Sequence, residues 1–188
     1  RNWEFTTVIE ADSQQPERIL VTGGCGFIGS NFIKYLHSLE SSFFVINIDS
    51  LTYAGNARNI EDYLKRDNFI FEKGSINDNN FLAKIFSKYK PDYVVNFAAE
   101  SHVDRSINDP SIFFRTNVGG TLNLLNHSLE NEIKRFLQVS TDEVYGSLDS
   151  DGYFTEETNI NPNSPYSASK ASADFFVRSY FKTYGLDT

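Results

Sequence analysis

The chain has 188 residues, of which 40% are hydrophobic, the size and composition of one packed cytoplasmic domain and not of a disordered chain. A formal net charge of −8 argues against a nucleic-acid or anionic-membrane partner, so any phosphate must be bound locally. The single cysteine, Cys25, excludes an internal disulfide, and no apolar run approaches the length of a membrane span.

The first 17 residues are polar and acidic and lack the apolar core of a signal peptide. We therefore predict that residues 1–17 form a flexible lead-in and that residues 18–188 form one folded domain. Cys25 lies within a glycine-rich segment, where we expect a packed small residue and not a reactive thiol.

A glycine-rich turn organises the folded part of the chain. The apolar run Ile19–Val21 leads into Gly23, Gly24, Gly26 and Gly29, and an amphipathic pattern follows at once. This order predicts a strand, a tight turn and a helix. Such glycines allow the turn, let the backbone approach a pyrophosphate and let the helix pack closely, while the helix N-terminus attracts the phosphate charge. A glycine turn without a ligand is the alternative for the motif taken alone.

A second apolar strand, 43–48, ends at Asp49, which lies 20 residues after Gly29. This is the spacing at which a dinucleotide-binding fold places the carboxylate that binds the ribose. Since Ser50 and not an arginine follows, and since the carboxylate would repel a 2′-phosphate, the pattern favours NAD over NADP.

The remaining apolar patterns continue to alternate between strands and helices. They predict a short helix at 59–65, a strand at 68–72, a helix at 80–89, a strand at 93–99, a polar loop, a long helix at 111–131, a strand at 135–140, a loop at 145–163 and a helix at 164–184. Right-handed crossovers in this order predict an α/β fold with a doubly wound parallel sheet, Rossmann-like in type.

Ligands bind such sheets at the carboxyl ends of the strands. We therefore expect one crevice to be formed by the 23–29 turn, Asp49, 74–75, 98–101 and 140–143.

The three histidines show no metal-ligand spacing, so no metal site is predicted. We expect His37 and His127 to be surface groups on helices, and His102 to pack or hydrogen-bond locally.

Two groups of residues carry acid–base chemistry. Tyr166 and Lys170 are four residues apart in the last predicted helix, so both project from one face. A cationic lysine one turn away favours the phenolate and would lower the tyrosine pKa. Thr141, Asp142 and Glu143 follow the fifth strand, where two carboxylates in different environments can divide into a general acid and a general base. Each group also has an interpretation without a catalytic role. The first would be a packed tyrosine with a solvated lysine, and the second would be a solvated acidic loop.

Four segments together resemble one known family. They are 22–30, 97–106, 140–146 and 164–170. From about Arg18 to the C-terminus, the chain resembles the extended short-chain dehydrogenase/reductase superfamily and, within it, the dTDP-glucose 4,6-dehydratase family. The Thr-Asp-Glu triplet is the specific part, because related epimerases usually have small hydroxyl residues there.

The resemblance implies a lyase that converts dTDP-glucose to dTDP-4-keto-6-deoxyglucose by transient reduction of bound NAD. Tyr166 would deprotonate the hydroxyl on sugar carbon 4, Glu143 would remove the proton on carbon 5, and Asp142 would protonate the hydroxyl that leaves carbon 6. Thr141 would hydrogen-bond the sugar, and Lys170 would also hold the nicotinamide ribose.

The resemblance also implies which residues bind the ligands. The cofactor residues would be Gly23, Gly26, Phe27, Ile28, Gly29, Asp49, Ser50, Leu51, Thr52, Ser75, Ile76, Phe97, Ala98, Ala99, Thr116, Tyr166 and Lys170, and the sugar residues would be Ser101, Thr141, Asp142 and Glu143. The family usually has an aspartate where this chain has Ser75, to hold the adenine amine, and a hydroxyl bonds that amine more weakly than a carboxylate.

The resemblance further implies a C-terminal substrate domain that is largely absent from this chain. Residues 18–188 would then be the NAD-binding domain with the catalytic residues, and would turn over sugar poorly alone. The helices at 111–131 and 164–184 would form a homodimer contact.

Two alternatives stay open. One is another extended reductase acting on nucleotide sugars, a 4-epimerase or a decarboxylase, which the Asp142–Glu143 pair disfavours. The other is a non-catalytic dinucleotide-binding module, which has no need of that acid pair. The nucleotide that carries the sugar is not determined.

Overall fold

A computed structural model describes residues 16–39, 43–148 and 152–188. Most of the predicted 1–17 lead-in, up to residue 15, lies outside the described residues. Glu17 is described, and its carboxylate accepts hydrogen bonds from the Tyr93 hydroxyl and the Lys134 ammonium group, both at 2.9 Å. The chain is therefore attached to the domain from Glu17 onward.

The described strands form one all-parallel sheet with the order β3-β2-β1-β4-β5. The strands are β1 (Arg18–Thr22), β2 (Phe44–Asp49), β3 (Phe69–Lys73), β4 (Tyr93–Asn96) and β5 (Arg135–Gln138). The order reverses between β1 and β4, as in a doubly wound sheet, so the predicted fold class is confirmed.

Helices lie between the strands and cover both faces of the sheet. They are α1 (Phe27–Ser38), α2 (Asn79–Tyr89), α3 (Val103–Asn108), α4 (Pro110–Phe113), α5 (Thr121–Glu130) and α6 (Pro165–Tyr184), with 3₁₀ turns at Ala57–Tyr63 and Asp142–Tyr145 and a π-helical segment at Phe114–Gly120. No helix among the described residues is long and apolar enough to cross a bilayer.

Alternation along β1 divides the core into two layers. Ile19 and Val21 pack with Ile33 of α1 on one face, whereas Leu20 packs with Leu82 of α2 on the other. Because both faces are buried, the central strands are almost continuously apolar.

Asn96, at the end of β4, joins four elements through its buried amide. Its Oδ1 accepts a hydrogen bond of 2.5 Å from Thr22, and its Nδ2 donates to Thr121 at 3.2 Å and to Gln138 at 2.8 Å. The Thr22 hydroxyl also accepts the backbone N–H of Ala98 at 3.2 Å. This network fixes the carboxyl ends of β1, β4 and β5 relative to α5.

The segment after β4 differs from the prediction. The strand predicted at 93–99 ends at Asn96, and the predicted polar loop contains α3. The helix predicted at 111–131 begins at Pro110, where the Asp109 side chain accepts the N–H of Ser111, and it contains the π-helical segment. Apolar periodicity could not indicate this segment, because seven residues are too few to show a period different from that of the flanking α-helices.

Smaller differences concern other boundaries and the histidines. The short helix predicted at 59–65 is the 3₁₀ turn at Ala57–Tyr63, and β5 ends at Gln138 instead of residue 140. His127 was predicted to be a surface group but is buried, with Nε2 2.9 Å from the Asn79 side-chain oxygen. His37 is half-buried because its ring stacks on Tyr63 at 4.7 Å.

Candidate active site

A cavity of about 960 Å³ lies at the carboxyl ends of the strands. All the predicted cofactor residues line it except Leu51, which packs against the core beneath. The crevice expected from the fold is confirmed for the 23–29 turn, Asp49, 74–75, 98–101 and Ser140. Residues 141–143 are not part of its lining and lie beside Tyr166 instead.

The glycine turn brings the backbone of α1 to the cavity. Gly23 has φ +70°, and a Cβ there would lie 2.7 Å from the backbone nitrogen of Ala98. A Cβ on Gly29 would lie 2.9 Å from the Gly24 Cα, so the helix could not pack so closely with any other residue. Gly26 caps α1 without a side chain, which leaves the first N–H groups of the helix facing the cavity.

The first two residues of α1 are not part of its buried face. Phe27 and Ile28 are 82% and 62% exposed, and both line the cavity. Their apolar side chains fit the amphipathic pattern of the helix, but they face the cavity and do not pack in the core.

Asp49 is held in place by backbone donors. Its Oδ2 accepts the N–H of Cys25 at 2.9 Å and its Oδ1 accepts the N–H of Leu51 at 2.7 Å. The carboxylate is buried but still lines the cavity, so it presents a fixed acceptor to a ribose hydroxyl. Cys25 is fully buried, and burial with the nearby Asp49 charge raises its thiol pKa to about 12, as expected for a packed residue.

The end of the cavity near β3 is polar. The Ser75 hydroxyl accepts the N–H of Asn77 at 3.2 Å, and Asn77 Nδ2 donates to Thr116 at 3.3 Å. Asn123 Nδ2 donates to the Ile76 carbonyl at 3.1 Å. The sequence prediction missed both asparagines. Asn77 is two residues from Ser75 in the same loop, a signal that could have been used, whereas Asn123 is one polar residue among many on a helix.

Tyr166 and Lys170 both line the cavity, but their relation differs from the prediction. The pKa of Tyr166 is raised, first by burial and then by the negative charges of Glu143 and Asp142, and a hydrogen bond with Thr141 only partly offsets this. The prediction that Lys170 lowers this pKa is wrong in this structure. Four-residue spacing sets a common face, but the Lys170 side chain extends to β5, where Nζ donates to the Val139 carbonyl at 2.5 Å.

The acid pair lies in the 3₁₀ turn after β5. Thr141 begins the turn, and its hydroxyl accepts the N–H of Glu143 at 3.3 Å. Both carboxylates act on the pKa of Tyr166, so the turn and α6 bring the two predicted groups together. A phenol, a threonine hydroxyl and two carboxylates in one place can transfer protons at several neighbouring atoms of a ligand.

Tyr53 is a further residue that the sequence prediction missed. Its hydroxyl accepts the N–H of Ser101 at 3.4 Å, its ring lies 4.2 Å below the Arg105 guanidinium, and it acts on the pKa of Tyr166. His102 packs 5.4 Å from the same ring, which agrees with its predicted local role. Nothing in the local sequence distinguishes this tyrosine from others in loops.

Within the described ranges, no group of three histidine, cysteine or acidic side chains is arranged to hold a metal ion.

Known proteins are similar to this chain in sequence and in fold. The chain is 49% identical over 176 residues to a dTDP-glucose 4,6-dehydratase of Xanthomonas campestris, covering 89% of this chain and 50% of the relative. The crystal structure of the dTDP-glucose 4,6-dehydratase DesIV of Streptomyces venezuelae, with NAD bound, is 48% identical with a TM-score of 0.85, covering 90% of this chain and 53% of that chain.

A UDP-glucose 4-epimerase of Thermotoga maritima is also similar, at 34% identity and a TM-score of 0.81, over 90% of this chain and 52% of that chain. The chain thus spans about half the length of the curated relatives it matches. The family model described as GDP-mannose 4,6 dehydratase matches residues 20–188. On this match, and with the resemblance to dTDP-glucose 4,6-dehydratases confirmed, the chain belongs to the GDP-mannose 4,6-dehydratase family.

Proposed function

We propose that the protein is an NAD-dependent nucleotide-sugar 4,6-dehydratase that converts dTDP-glucose to dTDP-4-keto-6-deoxyglucose. One observation carries the proposal: the turn that contains Asp142 and Glu143 packs against α6, where the two negative charges raise the pKa of Tyr166, and Tyr166 lines the same cavity as the glycine turn. A dinucleotide-binding module or an epimerase has no need of two carboxylates at this place. The relatives named dTDP-glucose 4,6-dehydratase support the choice of reaction and sugar nucleotide.

The residues present fit NAD. The Gly26 position leaves space for a pyrophosphate at the N-terminus of α1, and Asp49 presents an acceptor to the adenosine ribose. Ser75 and Asn77 face the place of the adenine, and Lys170 lies at the opposite end with Tyr166. When bound, NAD⁺ would accept a hydride from carbon 4 of the sugar, and the reduced cofactor would return that hydride to carbon 6.

Tyr166 is assigned the first proton transfer, from the carbon 4 hydroxyl. Its raised pKa keeps the phenol protonated at neutral pH in the protein alone, since burial and two carboxylates disfavour the phenolate. The Thr141 hydrogen bond lowers the pKa of Tyr166, and the cationic nicotinamide ring of NAD⁺ in the cavity would lower it further. We therefore assign the phenolate to the ternary complex and not to the free protein.

Glu143 is assigned the removal of the carbon 5 proton, and Asp142 the protonation of the hydroxyl leaving carbon 6. Both lie in one short turn, so they can serve two bonded carbon atoms of one sugar, carbon 5 in the ring and carbon 6 attached to it. Ser101, which also lines the cavity, is assigned a hydrogen bond to the sugar.

Glu143→Gln tests the assignment. In a protein that includes the implied C-terminal substrate domain, the variant should reduce bound NAD⁺ on adding dTDP-glucose but release no 4-keto-6-deoxy product, because the first step needs Tyr166 and the second needs the carboxylate. Glu156→Gln removes an exposed carboxylate and is the matched control, expected to behave as the unmodified protein. Normal dehydration by Glu143→Gln would refute the assigned base, and epimerised product from the unmodified protein would refute the dehydratase proposal.

The same proposal includes a homodimer through the helices near 111–131 and 164–184. Exposed aromatic side chains support it: Phe114 precedes α5, and Phe175, Phe181 and Tyr184 lie on α6. Phe175→Asp should shift the mass measured by light scattering from dimer to monomer. A monomeric unmodified protein would contradict the dimer. A cytoplasmic location is likewise proposed, and cell fractionation tests it.

A further inference from the structure

Two residues of α6 hold two successive residues at the end of β5. Lys170 Nζ donates to the Val139 carbonyl at 2.5 Å, and the Ser140 hydroxyl donates to the Asp174 carboxylate. Lys170 and Asp174 are one helical turn apart, so they lie on one face of α6. Asp174 is not part of the cavity lining and is outside the chemistry assigned above.

The charges of this pair depend on each other. Lys170 is only 4% exposed, and burial lowers its pKa while the Asp174 charge raises it. Burial also raises the pKa of Asp174, while Ser140 and Lys170 lower it. A buried charge is tolerated when an opposite charge and hydrogen bonds compensate it, which accounts for the carboxylate at this half-buried place.

Ser140 immediately precedes the turn that carries the acid pair. The Thr141 hydroxyl accepts the N–H of Glu143, so the residue that follows Ser140 is hydrogen-bonded to the acid pair. Tyr166 is on α6, one turn before Lys170. The Ser140–Asp174 hydrogen bond therefore lies on the direct connection between the acid pair and the phenol.

We propose that Asp174 is a positioning residue that acts through the Ser140 hydroxyl to hold the acid pair of residues 142 and 143 against Tyr166. This inference rests on the proposed dehydratase function for its kinetic part, and not for its structural part. Proton transfer requires a reacting distance close to that of a hydrogen bond, and a displacement of about 1 Å can reduce a rate about a hundredfold. Water elimination, which needs the acid pair, should therefore suffer more than the first hydride transfer, which needs Tyr166.

The kinetic test compares Ser140→Ala, Asp174→Ala and the double variant. The variants are made in a protein that includes the implied C-terminal substrate domain. In Ser140→Ala, dehydration should slow about tenfold to a hundredfold while hydride transfer stays within about threefold, so that reduced nicotinamide accumulates and its near-ultraviolet absorbance rises. Asp174→Ala should slow dehydration at least as much, and it also removes the charge that stabilises the Lys170 cation. The double variant should be no slower than Asp174→Ala alone, because both changes remove the same hydrogen bond. Equal losses in both steps, or additive losses in the double variant, would overturn the proposal.

Two further variants separate positioning from general damage to α6. Ser140→Thr keeps a hydroxyl at an exposed position and should restore dehydration to within about threefold of the unmodified rate. Ser172→Ala removes a hydroxyl that bonds only the Ala168 carbonyl within α6, and should leave both steps unchanged. Failure of Ser140→Thr to restore dehydration would count against the hydrogen bond.

Hydrogen exchange tests the structural part without any ligand. The amides of residues 141–146 should exchange faster in Ser140→Ala and Asp174→Ala than in Ser172→Ala, because the segment that leads into the turn has lost one of its hydrogen bonds to α6. Unchanged exchange would overturn the proposal whatever the activity. If the unmodified protein shows no dehydration, the proposed function is refuted. If exchange is nevertheless faster in the two variants, the proposed positioning role of Asp174 still holds.

Discussion

The Asn96→Leu variant tests the network that joins the carboxyl ends of the strands. Leucine has the same branching and the same number of non-hydrogen atoms as asparagine, so the change removes hydrogen bonds without leaving a cavity. Thr22 and Thr121 are both fully buried and lose their amide partner, while Gln138 is partly exposed and can bond to water. Each buried hydroxyl without its partner costs about 1–3 kcal/mol, so we expect the free energy of unfolding to fall by about 2–6 kcal/mol.

Urea denaturation followed by circular dichroism measures this loss. A typical domain has about 5–15 kcal/mol of stability, so the unfolding midpoint should fall clearly. The matched control is Gln138→Glu, which keeps a side-chain oxygen to accept the Asn96 Nδ2–H at this partly exposed place and should cost less than about 1 kcal/mol. Asn96→Leu should also weaken NAD binding, because the hydroxyl that holds the Ala98 N–H loses its own anchor. A loss below about 1 kcal/mol in Asn96→Leu would refute the reasoning.

Three other outcomes follow from single sites. Glu72→Gln should lower the free energy of unfolding above about pH 4.5, because hydrogen bonds from Tyr89 and then Lys88 lower the folded-state pKa of Glu72. The stabilities of the variant and the unmodified protein should become equal as the pH falls, which the unfolding midpoint measured against pH checks. A difference in stability that does not change with pH would contradict the prediction. Cys25 should resist thiol reagents at neutral pH until urea unfolds the chain, because burial raises its thiol pKa to about 12; rapid labelling of the folded protein would contradict it. Ser75→Asp should tighten NAD binding about fivefold in a fluorescence titration, because an ionised acceptor bonds the adenine amine more strongly; weaker binding would place the adenine elsewhere.

Much of the fold was predictable from local patterns. The run Ile19–Val21, the glycines after it and the Ser164–Pro165 helix start each indicate their element through backbone chemistry that neighbouring residues do not change. The prediction failed where contacts with distant parts of the chain determine the local structure. Phe97 to Ala99 are apolar like a strand, yet they leave the sheet to cross the Gly23 turn, which local periodicity cannot indicate.

The candidate site divides in the same way. The glycine turn, Asp49 and the Tyr166–Lys170 spacing are visible in the sequence, and the structure places all of them at one cavity. The raised pKa of Tyr166 was not predictable, because it depends on burial and on the charges of Glu143 and Asp142, which are distant in sequence, while the Lys170 side chain extends to Val139.

The sequence by itself determined the order of strands and helices, the phosphate-binding turn and the types of acid–base residue, since these depend on residue type and on spacing along the chain. Only the tertiary structure decided which groups face each other: that Lys170 bonds Val139, that Asp174 bonds Ser140, and that two carboxylates lie beside the phenol. The physical reason is that pKa values and side-chain directions depend on burial and on nearby charges, which are set when α6 packs against the end of β5.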